Sequence, residues 1–466
     1  NILSRISDFE DSFVEQLVLT MSEIATDIEK RRYCLNYIID KGCYNISNSL
    51  ENTLLNRLQK IAETKGYSVA LQYFTLVSPS EKALLINWLK RDNISIDNLK
   101  HIYPDLYYYL QEMDDIGLGK REWIIDYFKG YKIAKVKNVY TEEIKNLIYK
   151  HNESSVSFDT WYQSFKNVKT ILSKREDIDV YYWIDGLGVD WIPYVSYLIS
   201  GYKEKKLYIN ETIIAKSILP TKTENNKLDL QSLSDFPLEK IGDLDALAHY
   251  SGNSYPSVII KELDLVKKSI YTILSKYKDK KVAIVSDHGL TYLSQLVEGL
   301  NLAGAQSDHN GRLATKKDVV MDNNYFILED NKTICALKHK SLCAKVPNGQ
   351  GAHGGCTPEE VLVPIFIISN IKEQNTYSTE LLSFDVDASS PYVRFAIKGL
   401  KGNETLSLKY TTRKYKLKQV DTNMYESEAL QLVYGNTQVV LCVNDSEWVY
   451  NININIGFKE NDLFDF

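Results

Sequence analysis

The sequence predicts an α/β protein in three parts: helical over 1–172, a mostly parallel sheet with helices over 173–372, and a small β-sandwich-like domain over 373–466. Two observations carry this. Short apolar runs alternate with amphipathic stretches in the middle of the chain, which is the pattern of a parallel α/β sheet. Before that region apolar residues recur at helical spacing, and after it they alternate with period two. The 466-residue length agrees, because a domain averages roughly 150 residues.

The elements follow in order. Phe13, Leu17 and Met21 fall at helical spacing, as do Leu58, Ile61 and Ala62. The aromatic run 103–109 reads as helix packing rather than a stacking platform for bases, since no basic groups interleave with its tyrosines. The stretch 123–133 is amphipathic. In the middle region 180–184, 207–209, 282–285 and 361–368 read as strands, and 258–277 as a helix with Leu263, Leu265, Val266, Ile270 and Ile273 on its apolar side. In the tail, 382–386, 392–397, 405–410, 439–443 and 448–454 alternate sides, with Gly402-Asn403 and Gly435-Asn436 as turns.

Composition excludes several classes. Lys and Arg total 55 against 61 Asp and Glu, a net charge of −6, which argues against charge-driven nucleic-acid binding by this chain alone. No apolar run approaches the roughly 20 residues of a membrane span, so no membrane partner is expected. Residues 1–10 carry acid early and have no long apolar core, so no secretory leader is expected. The six cysteines (34, 43, 335, 343, 356 and 442) form no Cys-x-x-Cys and read as reduced thiols of a cytoplasmic protein.

The middle region concentrates groups that bind metals. Asp185 follows one predicted strand and precedes Gly186-Leu187-Gly188. Asp287 and His288 follow another, in Ser286-Asp287-His288-Gly289. Ligands of an open α/β sheet bind beyond the carboxyl ends of its strands, so both groups are expected at one rim. An Asp before a Gly is by itself a turn residue; Asp-His-Gly after an apolar strand brings two ligand types together. Asp245 and His249, four apart, share one helix face. The segment 349–355 presents His353 among four glycines. It spells G-x-G-x-x-G, but a dinucleotide fingerprint opens a long helix. Here Cys356-Thr357-Pro358-Glu359-Glu360 leaves room for one capped turn. His101, His151, His309 and His339 lack such company and read as surface or core residues. The stretch 220–227, Pro-Thr-Lys-Thr-Glu-Asn-Asn-Lys, offers hydroxyls. Three Asp and three His make two sets of three, a mixed oxygen and nitrogen set that suits two Zn²⁺ or Mn²⁺ ions better than Mg²⁺. Two such ions can clamp the attacking and leaving oxygens of a phosphoryl displacement.

In this order the motifs resemble the alkaline phosphatase superfamily, and within it the PglZ domain of bacterial BREX phage-defence systems, most like the shorter type 4 form. The residues that carry the resemblance are Ile184-Asp-Gly-Leu187, Leu219 to Lys227, Val285-Ser-Asp-His-Gly289 and Ala352 to Pro364, within about 175–372. The resemblance implies an alkaline-phosphatase-like core with one ion, zinc or manganese, on Asp185, Asp287 and His288. A second ion would sit on Asp245, His249 and His353, with Asp243 as the alternative to Asp245. Thr223 matches the nucleophile position and Thr221 is its alternative; Asn226 and Lys227 would contact the substrate phosphate. The implied activity is that of a metal-dependent phosphomonoesterase or phosphodiesterase, nuclease action included, in antiphage defence. Other BREX proteins would be partners, and nucleic acid would be reached through the complex. The competing expectations are a non-catalytic scaffold with a vestigial metal site and a metal-dependent phosphomutase.

Overall fold

The computed structural model describes residues 11–24, 31, 33–35, 46–113, 118, 121–173, 175–231, 238–372, 377–400, 404–421, 423–444 and 446–455. The chain divides into two compact units. One comprises Asn1–Met113, Ile124–Ile209 and Ile214–Asn370, the other Asp114–Trp123, Asn210–Ile213 and Ile371–Phe466. The helical region and the α/β core, expected as separate domains, therefore share one unit. Buried polar contacts join them. Tyr127 Oη donates to Glu359 Oε2 at 2.6 Å, Tyr131 Oη to the Leu290 carbonyl at 2.8 Å, and Asn152 Nδ2 to the Leu337 carbonyl at 2.6 Å. Periodicity shows that a helix has an apolar face but not what that face packs against.

Ser47, Ser78, Thr141, Ser154 and Asn167 each accept a backbone N–H at a helix start, satisfying donors that have no partner within the helix. In the helix Asp11–Met21 the buried residues are Val14 and Val18, while Phe13 is 47% exposed, so the inward face lies one residue along from the expected stripe. Leu58 and Ala62 face inward as expected. Tyr108 stacks on Tyr197 at 3.7 Å between centroids, and Tyr109 Oη donates to Asp190 at 2.7 Å. The aromatic run is thus packing. Among the described residues no helix is long and apolar enough to cross a membrane. Cys43 lies outside them; Cys34, Cys335, Cys343, Cys356 and Cys442 are free thiols.

The strands of the first unit are β1 (Val180–Asp185), β2 (Tyr208–Lys216), β3 (Glu239–Asp243), β4 (Val282–Val285), β5 (Gln306–Asp308), β6 (Leu313–Thr315), β7 (Tyr325–Ile327), β8 (Thr333–Ala336) and β9 (Leu362–Ser369). The central sheet runs β2-β9-β4-β1-β3, and β5-β6-β8-β7 form a separate antiparallel sheet that the sequence reading did not foresee. The central sheet is mixed. β1 is parallel to β3 and β4, whereas β9 runs antiparallel to β4.

That topology brings five segments to one rim. β1 and β4 pair in register from Val180↔Val282 to Trp183↔Val285, and two residues further on Asp185 stands level with Asp287. On the other side Asp185 faces Asp243, and the helix Leu244–His249 begins at once. Because β9 is antiparallel, the loop that precedes it and carries His353 arrives at the same rim. So does the loop after β2, tied there by Ser217 N–H on the Val361 carbonyl at 2.8 Å.

The second unit holds β10 (Ser378–Leu381), β11 (Asp385–Asp387), β12 (Arg394–Lys398), β13 (Leu406–Tyr410), β14 (Arg413–Asp421), β15 (Met424–Ser427), β16 (Gly435–Val443) and β17 (Ser446–Asn455). These form one continuous sheet, β10-β12-β15-β14-β13-β16-β17-β11, rather than the two sheets of a sandwich. The sheet coils on itself. Tyr450 of β17 donates to Thr379 Oγ1 of β10 at 2.7 Å, and Phe395, Leu408, Val439 and Ile452 share one core. β14 escapes sequence reading because among Lys414, Tyr415, Lys416, Leu417 and Lys418 only Tyr415 is buried.

Candidate metal centre

Two glycines shape the rim. Gly186, directly after Asp185, has φ +76°, a left-handed conformation that turns the chain at the end of β1. At Gly289 an added Cβ would lie 2.1 Å from the Glu359 carbonyl oxygen, so only glycine lets the loop after β4 meet the loop before β9.

Asp185 is buried. Its Oδ2 accepts from Lys240 Nζ at 2.6 Å, and its Oδ1 has no hydrogen-bond partner. Asp287 accepts through Oδ1 from Trp183 Nε1 and from Gly186 N–H, both at 3.2 Å, while its Oδ2 is likewise orphaned. His288, fully buried, approaches Asp185 Oδ1 at 3.7 Å and Asp287 Oδ2 at 3.5 Å through Nε2. Asp245 Oδ1 lies 3.2 Å from His249 Nε2 and 3.0 Å from His353 Nε2. The His288 and His353 rings stack at 4.0 Å between centroids.

The free nitrogen of each ring is set by its other nitrogen. His288 Nδ1 is 3.0 Å from the Gly289 carbonyl oxygen, and His353 Nδ1 is 2.5 Å from that of Thr221. A carbonyl only accepts, so in the neutral ring Nδ1 carries the proton and Nε2 presents a lone pair. Metal-binding histidines are oriented in this way. Both lone pairs face carboxylate oxygens, which also only accept. A cation satisfies such a cluster where a hydrogen bond between neutral ring and carboxylate does not.

Electrostatics agree. Burial and the neighbouring Asp287 carboxylate push Asp185 up to about 7 against the pull of Lys240. Burial would also raise Asp245, but His249 and His353, when protonated and donating to it, outweigh burial and hold the carboxyl well below the usual range. Among the described residues two sets have ligand atoms within 4.8 Å of one another: Asp245, His249 and His353; and Asp185, Asp245 and His288. Each can hold a metal ion. In the second, Asp245 stands where the resemblance places Asp287. Asp287 stays next to the cluster: its Oδ1 is committed to Trp183 and Gly186, while its Oδ2, free of hydrogen bonds, lies 3.5 Å from His288 Nε2. Asp243 caps its helix through Ala246 N–H at 2.8 Å and pairs with Lys240 at 2.7 Å, so Asp245 is the helix's contribution to the cluster.

Thr223 Oγ1 lies 3.2 Å from His288 Nε2. Thr221 is fully buried and accepts from Gly354 N–H at 2.7 Å, bracing the His353 loop. Asn226 accepts from Ile218 N–H at 2.7 Å and donates to the Ile218 and Lys222 carbonyls, both at 3.1 Å, so its amide holds the loop together instead of reaching toward a ligand. Lys227 is exposed, with Nζ 5.8 Å from the centre of the Trp183 ring.

Two residues of the rim were missed. Lys240 lies on the short, half-exposed β3, which carries no strong strand pattern. His309 was read as a surface or core residue, yet its ring lies 4.4 Å from that of His353 and 6.5 Å from that of His249. Burial and the neighbouring His353 push it down to about 4. The acidic pair Glu359-Glu360 supports the rim. Glu360 binds Arg312 through both oxygens at 2.9 and 2.6 Å and accepts from Gly355 N–H at 3.0 Å, while Glu359 meets His339 at 3.1 Å.

Fold and site thus define a mixed α/β protein whose central sheet carries a carboxylate–imidazole cluster able to bind metal at one rim. Compared with protein-family models and with characterised proteins, the chain matches none.

Proposed function

We propose that this chain is a metal-dependent phosphohydrolase, acting on phosphomonoesters or phosphodiesters through Thr223. The observation that carries the proposal is the position of the Thr223 hydroxyl, 3.2 Å from an imidazole nitrogen that also faces Asp185 Oδ1. With the proton of His288 on Nδ1, Nε2 can only accept, so in the metal-free fold the hydroxyl donates to it; a bound ion would take that lone pair instead, with the hydroxyl beside it. The ions expected are zinc or manganese, one on Asp245, His249 and His353, the other on Asp185, Asp245 and His288 with Asp287 Oδ2 beside His288. A divalent ion bound there supplies an acidified hydroxyl and positive charge for the phosphate oxygens.

The chain's own residues do the rest. Thr223 Oγ forms the bond to phosphorus as the ester oxygen leaves as an alcohol, with the hydroxyl's proton passing to it, and water then releases phosphate, or a monoester from a diester, and restores the hydroxyl. Lys240 compensates Asp185 from the edge of the cluster, at 36% side-chain exposure. Thr221 and Glu360 keep the His353 loop in place through the Gly354 and Gly355 N–H groups. An aryl phosphate monoester and diester, assayed with zinc- or manganese-loaded protein and with Thr223→Ala, test the proposal. Equal turnover by both proteins refutes it.

A role in antiphage defence rests on the resemblance of the motifs to PglZ domains. Genes for a methyltransferase and a large ATPase beside this one would support it.

A further inference from the structure

We propose that His309 contacts the substrate, at the junction between the metal cluster and a groove that receives the part of the phosphoester beyond the reacting phosphate. The proposal rests on the phosphohydrolase reading above. The groove is a cavity of about 1190 Å³ bounded by the 218–225 loop, by β5 to β8 and by the helix Ser155–Tyr162. Leu219, Leu313 and Phe326 give it apolar walls, and Asp308 and Lys222 lie on its lining. Each of those two is the chain neighbour of a cluster residue. Lys222 precedes Thr223, and Asp308 precedes His309, whose ring packs on His353. Lys222 Nζ and Asp308 Oδ2 meet at 2.5 Å, closing the gap between the two loops.

His309 is held in this position against its backbone preference. His309, Asn310 and Gly311 have φ of +47°, +53° and +77°, three consecutive left-handed residues of which only the last is glycine. Side-chain bonds hold the turn: Asp308 Oδ1 accepts from His309 N–H at 2.9 Å, and Arg312, anchored on Glu360, fixes its exit. Backbone strain of this kind persists where the surrounding structure enforces it. The result is a fourth imidazole beside the cluster, outside both ligand sets, and next in the chain to Asp308 of the groove lining. A phosphate on the cluster with a bulky substituent in the groove must pass it. The ligand class that follows is a phosphoester with a substantial organic group, not a small phosphate.

The test uses Thr223→Ala protein loaded with zinc, titrated with inorganic phosphate and with bis(p-nitrophenyl) phosphate. His309→Asn removes the ring and keeps a residue type that tolerates left-handed backbone; His309→Gly serves as the second variant should Asn pack poorly. Each variant should bind the diester about tenfold more weakly and phosphate within about threefold of the parent, with the same zinc content. Unchanged diester affinity in both variants overturns the role of His309. Failure of the zinc-loaded parent to bind either probe refutes instead the phosphohydrolase reading on which the proposal rests.

Discussion

His353 Nε2 stands 3.0 Å from Asp245 Oδ1, while the other nitrogen of the same ring donates to the Thr221 carbonyl at 2.5 Å. In the neutral ring this opposes a lone pair to a carboxylate oxygen, with no hydrogen between them. Asp185 Oδ1 and His288 Nε2 repeat the relationship at 3.7 Å. An unpaired buried acceptor costs roughly 1–3 kcal/mol, so two such oppositions at one rim are costly unless a cation fills them. Asp245 belongs to both sets, which makes it the pivot of the cluster.

Metal loss should therefore be unequal among the carboxylates. Asp245→Asn is expected to abolish binding at both positions. Asp287→Asn, with Oδ1 facing Trp183 and Gly186, should weaken binding at one. Equilibrium dialysis with zinc measures this, and equal stoichiometry in the two variants would refute the shared role of Asp245.

The two threonines separate chemistry from support. Thr223→Ala should lower kcat by a factor of about 100 or more while leaving the thermal midpoint near that of the parent. Thr221→Ala leaves the buried Gly354 N–H without its acceptor and should cost about 1–3 kcal/mol of stability. Activity and urea denaturation together distinguish them; the reverse pattern would move the nucleophile to Thr221.

Asp185 supplies a pH dependence. In the metal-free fold it is pushed up to about 7, while an unfolded aspartate titrates near about 4. Between those values the folded state holds a proton that the unfolded chain has released, so this carboxyl makes the fold less stable as pH rises through the window. Relative to Asp185→Asn, metal-free protein should lose stability from about pH 4 to about 7, and saturating zinc should remove the trend because binding displaces the proton. A difference that stays flat across the window contradicts this.

How much of this was legible follows from the kind of signal. Asp185, Asp287 and His288 could be placed because each follows a short apolar run that could only be a buried strand, and the rim rule did the rest. Asp245 and His249 followed from helical spacing. Lys240 and His309 escaped because their neighbours carry no pattern. β3 is five half-exposed residues, and His309 reaches the rim through a left-handed turn that no periodicity encodes. The shared unit escaped for a related reason. Lys135 lies in the last turn of the helix Trp123–Lys137 among apolar neighbours and, 3% exposed, meets Asp190 at 3.7 Å and, more than a hundred residues on, Glu262 at 3.1 Å.

That ionic cluster joins the helical region to the core, and breaking it should be expensive. Lys135→Met leaves Glu262 and Asp190 buried without their cation, at a cost of about 3–5 kcal/mol. The urea midpoint reads the loss directly, and an unchanged midpoint would mean that the cluster contributes nothing to the shared unit.

Support of the His353 loop is testable apart from catalysis. Glu360→Gln weakens the two-oxygen grip on Arg312 and the contact to Gly355, and should reduce metal affinity by about 10- to 100-fold with all cluster residues intact. Unaltered affinity would confine Glu360 to packing.

The metal content of natively purified protein, measured by elemental analysis beside Asp245→Asn, bears most directly on the cluster. About two equivalents of zinc or manganese per chain, lost in the variant, is the expected result. A native protein free of metal, which also takes up none from excess zinc or manganese, would contradict it.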